Sequence, residues 1–336
     1  MKYNFKKVLV TGGAGCIGMA VCNDLLKRGI KVILFDLYEQ INVIKDQIND
    51  KIEIFYGSIL DESSLREAIR GCDGIIHLAA HLGVRRTEVN SLKCIDININ
   101  GTKKVLDAAI IAGINKIVFA SSSEVYGEPL KNPISEDDIT QGKTVYAVSK
   151  LAGEEMIKAY HLEFQTLEYS ILRYFNTYGP YQIAQFVIPK FIRNVMNDKP
   201  PIVYGDGNQE RSYNFSEDTA RGTVDALFSH KTNSMTINIG NSKALISLKK
   251  LGELVIDLCG KQGKLDVIVK NNFEGTDRDE KREIYQRYCS TEKAKRLFGY
   301  EPKISLNEGI KKIIDIGVLE PKWATSERDY TIDDSL

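Results

Sequence analysis

Short unbroken apolar runs alternate with helix-period segments through the first half of the chain. Val8-Leu9-Val10 comes first, followed by a helical stretch from about Cys16 to Arg28 that stops at Gly29. Lys31–Phe35 and Ile52–Phe55 are the next strand-like runs, and Asp61 is placed to cap a helix over Glu62–Arg70 before Gly71. Gly74–Leu78, a helix over residues 98–112 ending at Gly113, and the run Ile117–Ala120 continue the alternation. Strands that are apolar throughout, rather than on every second residue, belong to parallel sheets covered on both faces. The pattern predicts an α/β fold with a doubly wound parallel sheet over residues 1–175 and a return segment near 214–240. After residue 175 the alternation loosens, and Pro180, Pro189, Pro200-Pro201 and Pro302 mark turns. A smaller, interleaved C-terminal lobe is expected over 176–330, with a polar tail at 331–336.

Composition changes this picture little. The 336 residues carry 45 Lys+Arg and 45 Asp+Glu, so no global charge draws the protein to nucleic acid or to an anionic membrane. No apolar stretch approaches membrane-spanning length, and the N-terminus runs straight into the first strand, which predicts a cytoplasmic protein. Its six cysteines are scattered without a CxxC pair, as expected of reduced, packed thiols. No His/Asp/Glu cluster suggests a metal. His77 is expected to pack, and His81 to line the cofactor site.

Chemistry enters at VLVTGGAGCIG, a strand, a glycine turn and a helix start in immediate succession. Gly12, Gly13, Gly15, Cys16, Ile17 and Gly18 match the dinucleotide-binding fingerprint of a Rossmann fold. Glycines let the backbone approach a pyrophosphate, and the helix N-terminus offers it unpaired N–H groups. Asp36 ends the next strand, where a carboxylate can accept both ribose hydroxyls and repel a 2′-phosphate. NAD is therefore expected over NADP. Further along, YAVSK places Tyr146 and Lys150 four apart on one helix face, an arrangement in which the ammonium favours the phenolate and Tyr146 could act as a base. Lys150 could also hold the nicotinamide ribose.

These motifs resemble the extended short-chain dehydrogenase/reductase family, the nucleotide-sugar epimerases and dehydratases. The resemblance covers nearly the whole chain: TGGAGCIG, Asp36, HLAA at 77–80, NINGT at 98–102, SSSEVYG, YAVSK, RYFNTYGP at 173–180 and GDGNQERSYNF at 205–215. It implies a catalytic set of Ser122, Tyr146 and Lys150, and a smaller C-terminal lobe that binds substrate. Ser58 and Ile59 stand at its adenine-contacting segment, although the family more often has an aspartate at the first position. Leu78, Ala79 and Ala80 would pass beneath NAD, and Tyr174 would contact it. Asn176 and Arg211 stand at substrate-contacting positions, with Arg211 on the diphosphate. A second diphosphate arginine is sought in the 278–287 cluster, and Arg282 is chosen; the plain reading of Arg278, Arg282 and Arg287 alike is a solvated, helix-forming charge run. The implied partner is a nucleotide-diphosphate sugar, UDP-linked by preference, and the implied assembly is a homodimer.

Within the family's chemistry, SSSEVYG decides the fate of the sugar once its C4 is oxidised. Glu124 could remove the C5 proton beside a C4 ketone, with Ser123 standing where a dehydratase often carries an acid. The leading expectation is a 4,6-dehydratase acting on a UDP-linked acetamido sugar. A 4- or 5-epimerase comes second and a uronic acid decarboxylase third, because a C4 ketone turns the C6 carboxylate into a β-keto acid. A non-catalytic NAD(H) sensor is the alternative outside catalysis. The plain alternative for Glu124 is a strand-end salt-bridge partner.

Overall fold

The computed structural model describes residues 3–243, 245–270 and 284–319. Seven strands build its centre: β1 (Lys7–Thr11), β2 (Lys31–Asp36), β3 (Glu53–Tyr56), β4 (Gly74–His77), β5 (Lys116–Ser122), β6 (Glu168–Tyr174) and, after an excursion, β11 (Met235–Ile239). They form one wholly parallel sheet in the order β11-β6-β5-β4-β1-β2-β3. Side-chain alternation sorts each strand between two cores. Val8, Val10, Leu34 and Val118 pack on one face with helices α1 (Cys16–Lys27) and α9 (Ser216–Phe228). Leu9, Ile33, Phe35 and Phe119 pack on the other with α3 (Glu62–Ala68), α6 (Thr102–Ile111) and α7 (Val145–Phe164). Sequence order reverses on either side of β1, and a crevice opens there at the carboxyl ends of the strands.

The expected cap at Asp61 holds: its carboxylate accepts from the Ser63 N–H and starts α3. The structure adds a second cap, Thr144, which accepts from the Ala147 N–H and starts α7. Two local readings need correction. Residues 98–112 are not one helix: a π-helical turn over Asp96–Gly101 precedes α6. β5 also runs on through Ser121 and Ser122, because both continue the ladder to Arg173 and Tyr174 of β6.

The excursion between β6 and β11, together with the residues after β11, forms a second core around Ile188, Phe191, Val203, Leu251, Val255 and Ile310. Short strands lie along it: β7 (Thr177–Tyr178), β8 (Ile202–Tyr204), β9 (Glu210–Ser212), β10 (Asn214–Phe215), β12 (Leu245–Ser247), β13 (Ile268–Lys270) and β14 (Gln286–Arg287). β9 is the centre strand of a small sheet, antiparallel to β12 and parallel to β14. Arg278, Arg282 and the polar tail fall outside the described residues. All six cysteines are free, and among the described residues no helix is long and apolar enough to cross a membrane.

Candidate active site

A cleft of about 1020 Å³ runs along the carboxyl ends of the central strands and under the second core. At one end lies the glycine turn. Gly12 has φ +70, and a Cβ there would meet the Ala79 backbone nitrogen at 2.6 Å. A Cβ on Gly18 would strike the Gly12 carbonyl at 2.1 Å. Only glycine lets the turn and helix start close this tightly. Gly15, at the N-cap of α1, makes no side-chain cap bond, so the helix presents its first N–H groups to the cleft. Cys16 opens that helix as a neutral thiol, its pKa pushed up to about 12 by burial, and so sets no negative charge against a phosphate.

Asp36 ends β2 at the same crevice. Its carboxylate accepts from the Ala14 N–H at 3.0 Å and the Leu37 N–H at 2.8 Å, and burial raises its pKa to about 6 despite those bonds. Ser58, Ile59, Leu78, Ala79 and Ala80 line the cleft beside it, with the Ser58 hydroxyl turned onto the Leu60 N–H. His81 lines the cleft too, its N–H bonded to Asn98. His77 packs: its ring bridges Thr11 at 2.7 Å and Thr102 at 3.1 Å. The glycine cradle, the uncapped helix and the carboxylate at the strand end together fit a dinucleotide. No cluster of potential metal ligands occurs among the described residues.

Midway along the cleft, Ser122, Glu124, Tyr146 and Lys150 come together from β5, the turn after it and α7. The Lys150 ammonium donates to the Ala120 carbonyl at 2.8 Å, and burial pulls its pKa down to about 8. Burial raises the Tyr146 pKa, a hydrogen bond with Ser122 opposes this, and the Glu124 charge adds to the rise. Burial thus works against the phenolate that the Tyr146–Lys150 spacing favours. Lys150 lies 5.9 Å from the Tyr146 ring centre and is committed to a carbonyl. Ser123, the next residue, is buried. Tyr174 lines the cleft while its hydroxyl bonds Thr223 at 2.8 Å, and Asn176 donates to the Ser212 carbonyl at 3.1 Å.

The second lobe brings two arginines. Arg211 on β9 and Arg287 on β14 both line the cleft. Arg287 is only 6% exposed, which overturns its reading as part of a solvated charge run. Its Nη2 forms an ion pair with Glu124, while its Nε and Nη1 are buried with no hydrogen-bond partner among the described residues. Arg287 first, and Arg211 after it, hold the Glu124 carboxyl below the usual range against the opposing effect of burial. Along this segment Arg287 and Cys289 are buried, while Tyr285 and Gln286 are exposed.

This geometry agrees with comparison to known proteins. A family model described as GDP-mannose 4,6 dehydratase matches residues 9–313. The chain belongs to this family. It is an NAD-dependent nucleotide-sugar enzyme of the extended short-chain dehydrogenase/reductase type, in the group of epimerases, dehydratases and decarboxylases. It is 35% identical to a UDP-N-acetyl-alpha-D-glucosaminuronate decarboxylase of Bacillus cytotoxicus, over 92% of this chain and 97% of the relative. It is 33% identical to a UDP-glucuronate 4-epimerase of Thermodesulfobacterium geofontis, over 91% and 94%. Among solved structures, UDP-glucuronic acid 4-epimerase of Bacillus cereus in complex with UDP-glucuronic acid and NAD superposes with a TM-score of 0.81. It is 30% identical, covering 92% of this chain and 98% of that one.

Proposed function

We propose that this enzyme oxidises C4 of a UDP-linked uronic acid and releases its C6 carboxyl group as carbon dioxide. The supporting observation is Arg287, a buried guanidinium in the cleft with two N–H groups that nothing in the described protein satisfies. A buried cation with unmet donors calls for an anion, and Nε and Nη1, on either side of the Nη2 that Glu124 holds, can each donate to an anionic oxygen of a bound substrate. The decarboxylase and epimerase among the relatives are both named for UDP-uronates, which agrees with that demand.

NAD, when bound in the glycine cradle, supplies the acceptor for the C4 hydride and returns it at the end of the cycle. Ser122 and Tyr146 are the groups placed to take the C4 hydroxyl proton. Arg287 would hold the C6 carboxylate beside Glu124. With C4 a ketone, the C5–C6 bond breaks, its electrons enter the carbonyl, and C5 takes up one proton from water. Glu124 sets a second negative charge at the same guanidinium, which favours loss of the substrate's charge as neutral carbon dioxide.

The same pair argues against dehydration, the leading expectation from sequence. Elimination needs a base for the C5 proton, and Arg287 makes Glu124 a weaker one. It also needs an acid for the C6 hydroxyl, and Ser123 is buried and poorly acidic. A 4-epimerase of the same uronate is the second reading, since Arg287 would hold the carboxylate there as well. UDP-glucuronic acid and its 2-acetamido analogue, each labelled with carbon-13 at C6, separate these readings. Decarboxylation gives labelled carbon dioxide and an unlabelled product sugar. Label retained with inverted C4 makes the enzyme an epimerase, and both uronates left unchanged beside loss of water from UDP-N-acetylglucosamine makes it a dehydratase.

A further inference from the structure

Tyr146, Lys150 and Glu154 stand at successive four-residue steps on one face of α7. Glu154 is 1% exposed and takes no part in the chemistry above. It meets Arg173 of β6 in a two-point pair, accepting from Nε at 2.9 Å and from Nη2 at 2.7 Å. Each end of this pair reaches the reacting turn. Ser121, the register partner of Arg173 on β5, donates its hydroxyl to Glu154 at 2.5 Å. Arg173 Nη1 donates to the Tyr126 hydroxyl at 3.0 Å, and Tyr126 in turn donates to Asn238 at 2.7 Å. One buried charge pair thus grips the residue before Ser122 and the second residue after Glu124.

We propose that Glu154 and Arg173 are positioning residues, fixing residues 121 and 126 against α7 so that Ser122, Glu124, Tyr146 and Lys150 share one geometry. This rests on reading Ser122, Tyr146 and Glu124 as reacting groups. A buried ion pair is a poor source of net stability compared with apolar side chains of the same volume. Its effect here is on placement: through bonds of fixed direction it joins β6 to β5 and α7, the elements that bear Ser122, Tyr146 and Lys150. Reaction rates depend steeply on such placement, and a shift of about 1 Å can cost about 10²-fold.

Ser121→Ala and Tyr126→Phe each delete one hydroxyl and leave the ion pair and every reacting group in place. Turnover of the nucleotide sugar, KM, bound NAD and Tm are measured for both, with Ser122→Ala and Tyr146→Phe as references. The expected result is inactive references, and kcat about 10- to 10²-fold lower in Ser121→Ala and Tyr126→Phe with KM and bound NAD unchanged. Inactive references beside unchanged kcat in the two hydroxyl variants would overturn the positioning role and leave the site reading intact, even if Tm fell. A rise in KM with kcat intact would overturn it as well. Active references would overturn both.

Discussion

Arg211 and Arg287 occupy one register position on adjacent parallel strands, β9 and β14. Like charges placed side by side on one sheet are costly unless an anion lies between or beside them. Glu124 meets part of that need, and both arginines act on its carboxyl. UDP is expected to raise Tm well beyond what uridine does, with stabilisation of about 2.7 kcal/mol at a hundred times its Kd. Arg211→Met should shrink the difference, whereas Arg287→Met, whose donors are proposed for the C6 carboxylate, should leave most of it. Equal shifts from UDP and uridine would remove Arg211 from diphosphate binding.

Asp36 is predicted to hold NAD by charge-assisted hydrogen bonds and to exclude a 2′-phosphate. Asp36→Asn keeps an acceptor for the Ala14 or Leu37 N–H but loses the charge. Retention of NAD should weaken roughly 10- to 10²-fold, and the preference over NADP should narrow. Titration of both cofactors into apo-protein checks this; tighter binding of NADP to the unaltered protein would contradict it.

Tyr146→Phe removes the phenol and leaves Lys150 on the Ala120 carbonyl. Turnover is expected to fall ~10²–10⁴-fold while NAD content and fold stay as they were. Near-normal turnover would dismiss Tyr146 as the proton acceptor.

His77 carries a pH signature. Burial, with the Lys150 charge adding to it, lowers its pKa from 6.5 to about 3. Between those values the unfolded chain binds a proton that the folded one refuses, so stability falls as pH falls through the window. Above 6.5 the imidazole is neutral in both states and contributes no slope. His77→Gln, less stable at neutral pH through loss of the Thr11 and Thr102 bonds, should show a flatter decline on acidification. The gap between the two proteins is expected to close by a few kcal/mol, on the order given by about 1.4 kcal/mol per pKa unit. Parallel Tm-against-pH curves would refute this.

The parallel sheet was legible because its strands are apolar on both faces, and the glycine turn because strand, turn and helix are contiguous. Tyr146 and Lys150 were legible for a similar reason, since one helix face sets their spacing. What their spacing did not reveal was proton affinity: burial raises that of Tyr146 while Lys150 turns to a carbonyl. Arg287 was not legible in its role. It reaches Glu124 only because a two-residue strand pairs with β9, a tertiary choice that no local pattern announces. Its neighbours at 277–283 alternate in charge and read as an exposed helix, a pattern that covers Arg282 and Arg287 alike. Glu154 sat in view, four residues beyond Lys150, but its partners lie on β5 and β6.

β14 has a consequence for how such an enzyme can change. Ser122, Tyr146 and Lys150 belong to the central sheet and α7, whereas Arg287 arrives from a late segment of the chain on a strand of two residues. On the proposed function, oxidation at C4 and capture of the C6 carboxylate are therefore inherited from separate parts of the polypeptide. A single exchange at 287 is then expected to alter the fate of one shared ketone without disturbing the hydride chemistry that makes it.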